Sequence, residues 1–170
     1  FVPEVHARPG DIPVTYDDIG HDVRPGGRIL VNDGLLEFDV AAVDGDRVTV
    51  RTVHGGAILS HKGMNLPGTD VSAPSLTEKD RADIAFAVEQ GVSYLALSFV
   101  RRAEDIEGLR RLVPKGMLLV AKIEKDSALE RIDDILRASD AVMVARGDLG
   151  VELPFERVPL EQKRIIGLAN

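Results

Sequence analysis

Three short apolar runs, centred near Leu97, Val120 and Met143, recur at a constant interval of 23 residues. Each run (YLALSFV, LLVAKIE and AVMVA) is too short for a globular helix and rich in branched and bulky apolar residues, so each reads as a buried strand. Between them lie stretches with helical spacing: AEDIEGLRRLV, stopped by Pro114, and SALERIDDILRAS, begun by Ser127. A unit of that length is a compact βα repeat, and such repeats feed a parallel sheet. The runs are apolar on both faces, as parallel strands covered on both sides are. Three of them cannot close a barrel of eight or shield both sheet edges. The chain therefore pairs its edges with another chain or is a cut from a larger fold. The cut is the preferred reading, and a first residue of Phe1 rather than methionine agrees with it.

The remainder of the chain has a different grammar. Up to about Gly27, prolines and glycines (Pro3, Pro9, Gly10, Pro13, Pro25, Gly26, Gly27) punctuate a segment without helical periodicity, which reads as loop with at most one short strand. From Arg28, β-prone runs are separated by Asp33-Gly34, Asp44-Gly45 and Gly55-Gly56, dipeptides that tolerate positive φ and signal hairpins. A small antiparallel, barrel-like module is expected there. Pro67-Gly68 and Pro74 mark a linker, after which Thr77 and Asp80 form a capping-box pattern. The helix they open is closed by Gly91 and presents Ile84, Ala85 and Val88 to a core. A last helix covers LEQKRIIGLAN.

Composition narrows the function. A chain of 170 residues with 44% hydrophobic and 29% charged residues is that of a soluble globular protein of one domain or two small ones. A formal net charge of -7 argues against nucleic acid as a main partner, because phosphate backbones are met with a basic face. The absence of cysteine excludes disulfides, thiolate nucleophiles and cysteine-based zinc sites. With no signal peptide and no apolar run near ~20 residues, no membrane partner and a cytoplasmic location are expected.

The chemistry gathers at the strand exits. Residues two apart in a strand point the same way, so Lys122 and Glu124 leave their strand on one face, while Arg146, Gly147 and Asp148 follow the next strand directly. A strand-end ion pair is the plain structural alternative for Lys122 and Glu124, and a helix cap is the alternative for Asp148. The position argues for more, since ligands bind at the carboxyl ends of parallel strands. Two carboxylates from adjacent strands suit a hard divalent cation, Mg²⁺ or Mn²⁺, that keeps positions open for substrate oxygens. Backbone N–H groups around Gly147 and Asp148 could hold an anionic group. Lys62, next to a glycine in SHKGMNLPG, reads first as a solvated turn residue. Ser98, Phe99 and Arg101 close the first strand of the repeat, either as packing and strand-end residues or as support for the pocket. The four histidines (His6, His21, His54, His61) show no metal-ligand spacing, and Asn32 and Asp33 suit a hairpin turn.

Three groups of residues together resemble pyruvate kinase: VNDGLLEFDV with SHKGMNLPG, LTEKDRADIAFAVEQGVSYLALSFVR, and AKIEK with SDAVMVARGDLGVELP. The resemblance spans residues 28 to 170 and implies an α/β fold: a partial TIM (β/α)8 barrel with an inserted small antiparallel β-barrel domain. Residues 1–69 would be most of that small domain, and 70–170 the central βα units, roughly strands four to six of the barrel. It implies transfer of the phosphoryl group of phosphoenolpyruvate to ADP, giving pyruvate and ATP in glycolysis. Lys122 would stabilise the transferring phosphoryl group and the enolate, Glu124 and Asp148 would ligate Mg²⁺ or Mn²⁺, Gly147 and Asp148 would hold the substrate carboxylate, and Lys62 would reach the nucleotide phosphates. A homotetrameric parent that also uses K⁺ is implied, the K⁺ ligands lying outside these residues, as do a phosphate-contacting arginine, a threonine implicated in protonation and a C-terminal regulatory domain. This piece alone is accordingly expected to be inactive.

The sequence departs from the family pattern at NDG, where two aspartates are usual, and at Asp126, where proline is common in bacterial members. Another metal-dependent phosphoenolpyruvate or pyruvate enzyme, such as an aldolase, would share the carboxylate pair but have no use for the β module or Lys62. A non-catalytic association module is the third reading.

Overall fold

A computed structural model describes residues 1–170. The fold is mixed α/β, and the chain divides into two compact units, Phe1–Ala73 and Pro74–Asn170.

In the first unit, β1 (Val2–Pro3) pairs in parallel with β2 (Pro13–Val14), and α1 is a single turn at Ile19–Asp22. The N-terminal segment thus holds two short strands rather than one. An antiparallel sheet follows, built of β3 (Arg28–Val31), β4 (Leu36–Asp44), β5 (Arg47–His54) and β6 (Met64–Asn65), in the order β5-β4-β3-β6. The turn after β3 runs through the left-handed region, with φ of 56° at Asn32, 56° at Asp33 and 83° at Gly34. Asn and Asp are among the few side chains that accept this backbone. The second hairpin turns at Gly45, φ 56°.

The hairpin expected at Gly55-Gly56 is not formed. β5 ends at His54, and the next strand, β6, pairs with β3 instead. The ladder is therefore an open sheet with β5 and β6 at its edges, not a closed barrel. One rung joins the two sheets: the Phe1 nitrogen donates to the Val48 carbonyl at 2.8 Å, and the Val48 N–H returns a bond to Phe1 at 2.9 Å. Ile19, Ile29, Phe38, Val40 and Val48 fill the core beneath, with Phe1 and Phe38 edge to face at 5.2 Å.

The second unit opens with α2 (Glu78–Glu89), whose capping box is formed as expected. The Asp80 N–H donates to the Thr77 hydroxyl at 3.1 Å, and the Thr77 N–H donates to the Asp80 carboxylate at 2.8 Å. Ile84 is buried and Val88 packs on the same core, but Ala85 is exposed. Then come β7 (Tyr94–Leu97), α3 (Ala103–Arg110), β8 (Leu118–Ile123), α4 (Asp126–Leu129), α5 (Ile132–Ala138), β9 (Ala141–Val144), α6 (Arg146–Glu152) and α7 (Val158–Ala169). The single helix expected from Ser127 breaks at Arg131, whose φ of -118° and ψ of 22° leave the helical region. No helix is long and apolar enough to cross a membrane.

The sheet is parallel, ordered β7-β8-β9, with β7 and β9 as unpaired edges. Its faces differ. Leu119, Ala121 and Ile123 are fully buried against Ile106 and Leu109 of α3, Ile132 and Ile135 of α5 and Ile165 of α7. Burying each of the large ones contributes ~1.5–3 kcal/mol. On the other face Leu118, Val120 and Lys122 are only half-buried, and Tyr94 and Met143 are 59% and 48% exposed. Both faces are apolar in sequence, but helices cover only one.

At the amino end of the sheet, Asp140 sets the register between β8 and β9. Its N–H donates to the Leu119 carbonyl at 2.9 Å, and its carboxylate accepts from the Leu119 N–H at 2.7 Å and from Arg110 at 2.7 Å. The Leu119 N–H, and after it the Arg110 guanidinium, hold the Asp140 carboxyl below its ordinary range. A depressed folded value means that the stabilisation is complete above the unfolded value of about 3.9 and is lost as pH falls through the folded one. Asp140→Asn is therefore expected to lower thermal stability near neutral pH and to flatten its decline below about pH 4, as read from melting curves across that range.

Candidate active site

The parallel register brings the charged exits together. Leu97 pairs with Ala121 and Ile123 with Val144, so the residues just beyond these pairs, Ser98, Lys122, Glu124 and Ala145, share one end of the sheet. Lys122 stands on the half-open face, and its ammonium donates to the Ser98 hydroxyl at 2.7 Å and pairs with a Glu124 oxygen at 2.7 Å. The Glu124 side chain is 2% exposed and that of Lys122 25%.

A carboxylate so deeply buried is costly unless each oxygen is answered. Its second oxygen accepts the Phe99 N–H at 2.9 Å. That bond explains why β7 stops at Leu97 instead of running to Val100. Phe99 takes φ 54°, a left-handed conformation that costs a bulky residue on the order of 1–3 kcal/mol and turns its N–H toward the carboxylate.

Asp148 follows the neighbouring strand. It is the third residue of α6, exposed, and engaged in no hydrogen bond or ion pair. The residue that caps α6 is Ala145, which offers no side-chain bond, so Asp148 acts from inside the first turn, where a negative charge is favoured by the helix dipole. A methyl group built on Gly147 would meet nothing within 4 Å, so its backbone faces open space. By contrast, one built on Gly150 would lie 2.9 Å from the Phe155 ring, which would have to shift. Lys62 lies in the first unit, exposed and without a partner, beside His61 at φ 60°.

Two further contacts frame this end of the sheet. Lys125, the residue after Glu124, pairs with Glu152 at 2.5 Å, and its ammonium lies 5.9 Å from the centre of the Phe99 ring. Neither pairing was foreseeable from spacing, because a strand exit and a helix end are related by no sequence period. The one hint is the second lysine of AKIEK.

The donor chemistry is that which a hard cation takes. Glu124 and Asp148 are hard oxygen donors, and no group of three or more His, Cys, Asp or Glu gathers anywhere in the molecule. A cation held here would complete its shell with water and ligand oxygens, which is the habit of Mg²⁺. The Lys122 ammonium lies 2.7 Å from a Glu124 oxygen.

The family model described as pyruvate kinase, barrel domain, matches residues 4–170. Pyruvate kinase of Geobacillus stearothermophilus is 47% identical over 98% of this chain and 30% of its own length. That of Mycobacterium tuberculosis is 46% identical over 94% of this chain and 34% of its own, and that of Clostridium perfringens 42% identical over 92% and 34%. The chain thus spans about a third of the length of these relatives, whose names do not favour the aldolase reading. By the family match and these relatives, the chain belongs to the pyruvate kinase family.

Proposed function

We propose that these residues form the metal-holding and charge-stabilising part of a pyruvate kinase active site, in which phosphoenolpyruvate passes its phosphoryl group to ADP. The observation that carries the reading is the Lys122–Glu124 pair, 2.7 Å apart with Glu124 2% exposed, at the carboxyl end of a parallel strand beside the exit that bears Asp148. A core position would favour an apolar pair of the same volume over these two charges.

In the proposed reaction the bond between phosphorus and the enol oxygen breaks, a bond from a terminal ADP oxygen to phosphorus forms, and the enolate left behind takes a proton at carbon to give pyruvate. Negative charge shifts toward the transferring group and the enol oxygen. Catalysis of this kind is mostly positioning and charge neutralisation. The Lys122 ammonium, held by Ser98 and Glu124, faces that charge without reorganising. Glu124 and Asp148 would hold Mg²⁺ or Mn²⁺, which when bound supplies a Lewis acid and a template for substrate oxygens. The backbone at Gly147, which faces open space, and at Asp148 would receive the substrate carboxylate. Lys62, on its exposed turn, would meet the nucleotide phosphates.

The three-stranded sheet would belong to a larger parallel (β/α)8 barrel, which accounts for the half-open face bearing Lys122, and residues 1–69 would be most of its inserted β domain. K⁺ would be bound by residues outside this chain.

In the intact protein, Lys122→Met is expected to lower kcat for phosphoenolpyruvate with ADP by about 10²–10³ while Mn²⁺ binding is retained, because both carboxylates remain. Turnover at the parental rate would remove Lys122 from the mechanism. Lys62→Ala is expected to raise the KM for ADP about 10-fold or more, the worth of a charged hydrogen bond, with little change for phosphoenolpyruvate. Steady-state kinetics with each substrate varied in turn checks this.

A further inference from the structure

Helix α6 is held to the exit of β8 at both ends. At its start the Ala145 N–H donates to the Ile123 carbonyl at 3.1 Å, extending the β8–β9 ladder by one rung. At its last residue, Glu152 pairs with Lys125 at 2.5 Å, the two side chains 3% and 17% exposed. The helix has seven residues, about 10 Å of length. A rod pinned once can tilt and roll; pinned at both ends it keeps its direction.

The second pin joins two particular places. Lys125 directly follows Glu124, and Glu152 ends the helix that carries Asp148 in its first turn. Asp148 stands exposed with no hydrogen bond or ion pair of its own, so the placement of its carboxylate relies on how α6 is held. A buried ion pair adds little net stability over an apolar pair of similar volume, and its best-attested use is to select one arrangement among several. Neither Lys125 nor Glu152 has a part in the reaction proposed above.

We infer that Lys125 and Glu152 are positioning residues for the divalent-cation site, a largely buried brace that fixes where α6 presents Asp148 relative to Glu124. The inference rests on the reading of those two acids as the cation's ligands.

The test is a Mn²⁺ titration of the intact protein, following the paramagnetic resonance signal of the free ion, alongside thermal melts. The double variant Lys125→Met with Glu152→Leu removes both charges and strands neither. It is expected to weaken Mn²⁺ binding by about 10–100-fold, the usual effect of losing a residue that orients a ligand, with the melting temperature little changed. Lys125→Arg, which keeps the ion pair, is expected to restore most of the affinity. Parental Mn²⁺ affinity in the folded double variant would overturn the inference. Should that variant fail to fold, Glu152→Gln decides in the same way, since it keeps the shape and an acceptor oxygen but not the charge: weakened binding supports the brace, and unchanged binding overturns it. Glu124→Gln and Asp148→Asn are titrated in parallel. If both leave Mn²⁺ binding intact, the ligand assignment itself falls and the brace with it; if they weaken it and the brace variants do not, only the brace falls.

Discussion

A carboxylate at 2% exposure must be compensated, and the rest of the second unit is arranged around how Glu124 is. One oxygen takes the Lys122 ammonium, the other the Phe99 N–H, and no buried polar side-chain atom in the molecule lacks a partner. The Phe99 bond fixes where the first parallel strand ends and forces a left-handed backbone on an aromatic residue. The Lys122 bond draws in Ser98, just past the end of the same neighbouring strand. Each of these bonds answers a charge or a donor that would otherwise lack its partner.

The sheet supplies the precision for this group. Fully buried Leu119, Ala121 and Ile123 anchor β8 to the helices from one side, and alternation then sends Leu118, Val120 and Lys122 to the other. Asp140 locks the register at the far end. A slip of one residue would exchange the two sets, burying an ammonium among α3 and α5 and exposing the core of the unit. Stability and site geometry are thus set by the same ladder of backbone bonds.

Much of this could be read from residue order. The constant spacing of Leu97, Val120 and Met143 points to three parallel strands, and Thr77 with Asp80 to the capped helix, because both rest on local periodicity and local hydrogen bonding. The contact of Lys122 with Glu124 followed from their spacing by two. The failures share a cause. Gly55-Gly56 has the dipeptide of a hairpin, but β6 found its partner in β3, a choice made by distant pairing rather than by the turn. Helical spacing points Ala85 at the core, yet it is exposed while Ile84 and Val88 pack there. The early end of β7 and the pairing of Lys125 with Glu152 depend on atoms from separate elements meeting in space, which no window of sequence contains.

The bare ladders along β7 and β9 bear on how these residues behave in a tube. Each presents a row of free amide and carbonyl groups, next to a face where Tyr94 and Met143 meet water. If residues 74–170 are produced by themselves, any self-association has an obvious origin in strands seeking neighbours. A mass measured for that species would report the adhesiveness of its margins, and would carry no information about the native quaternary state.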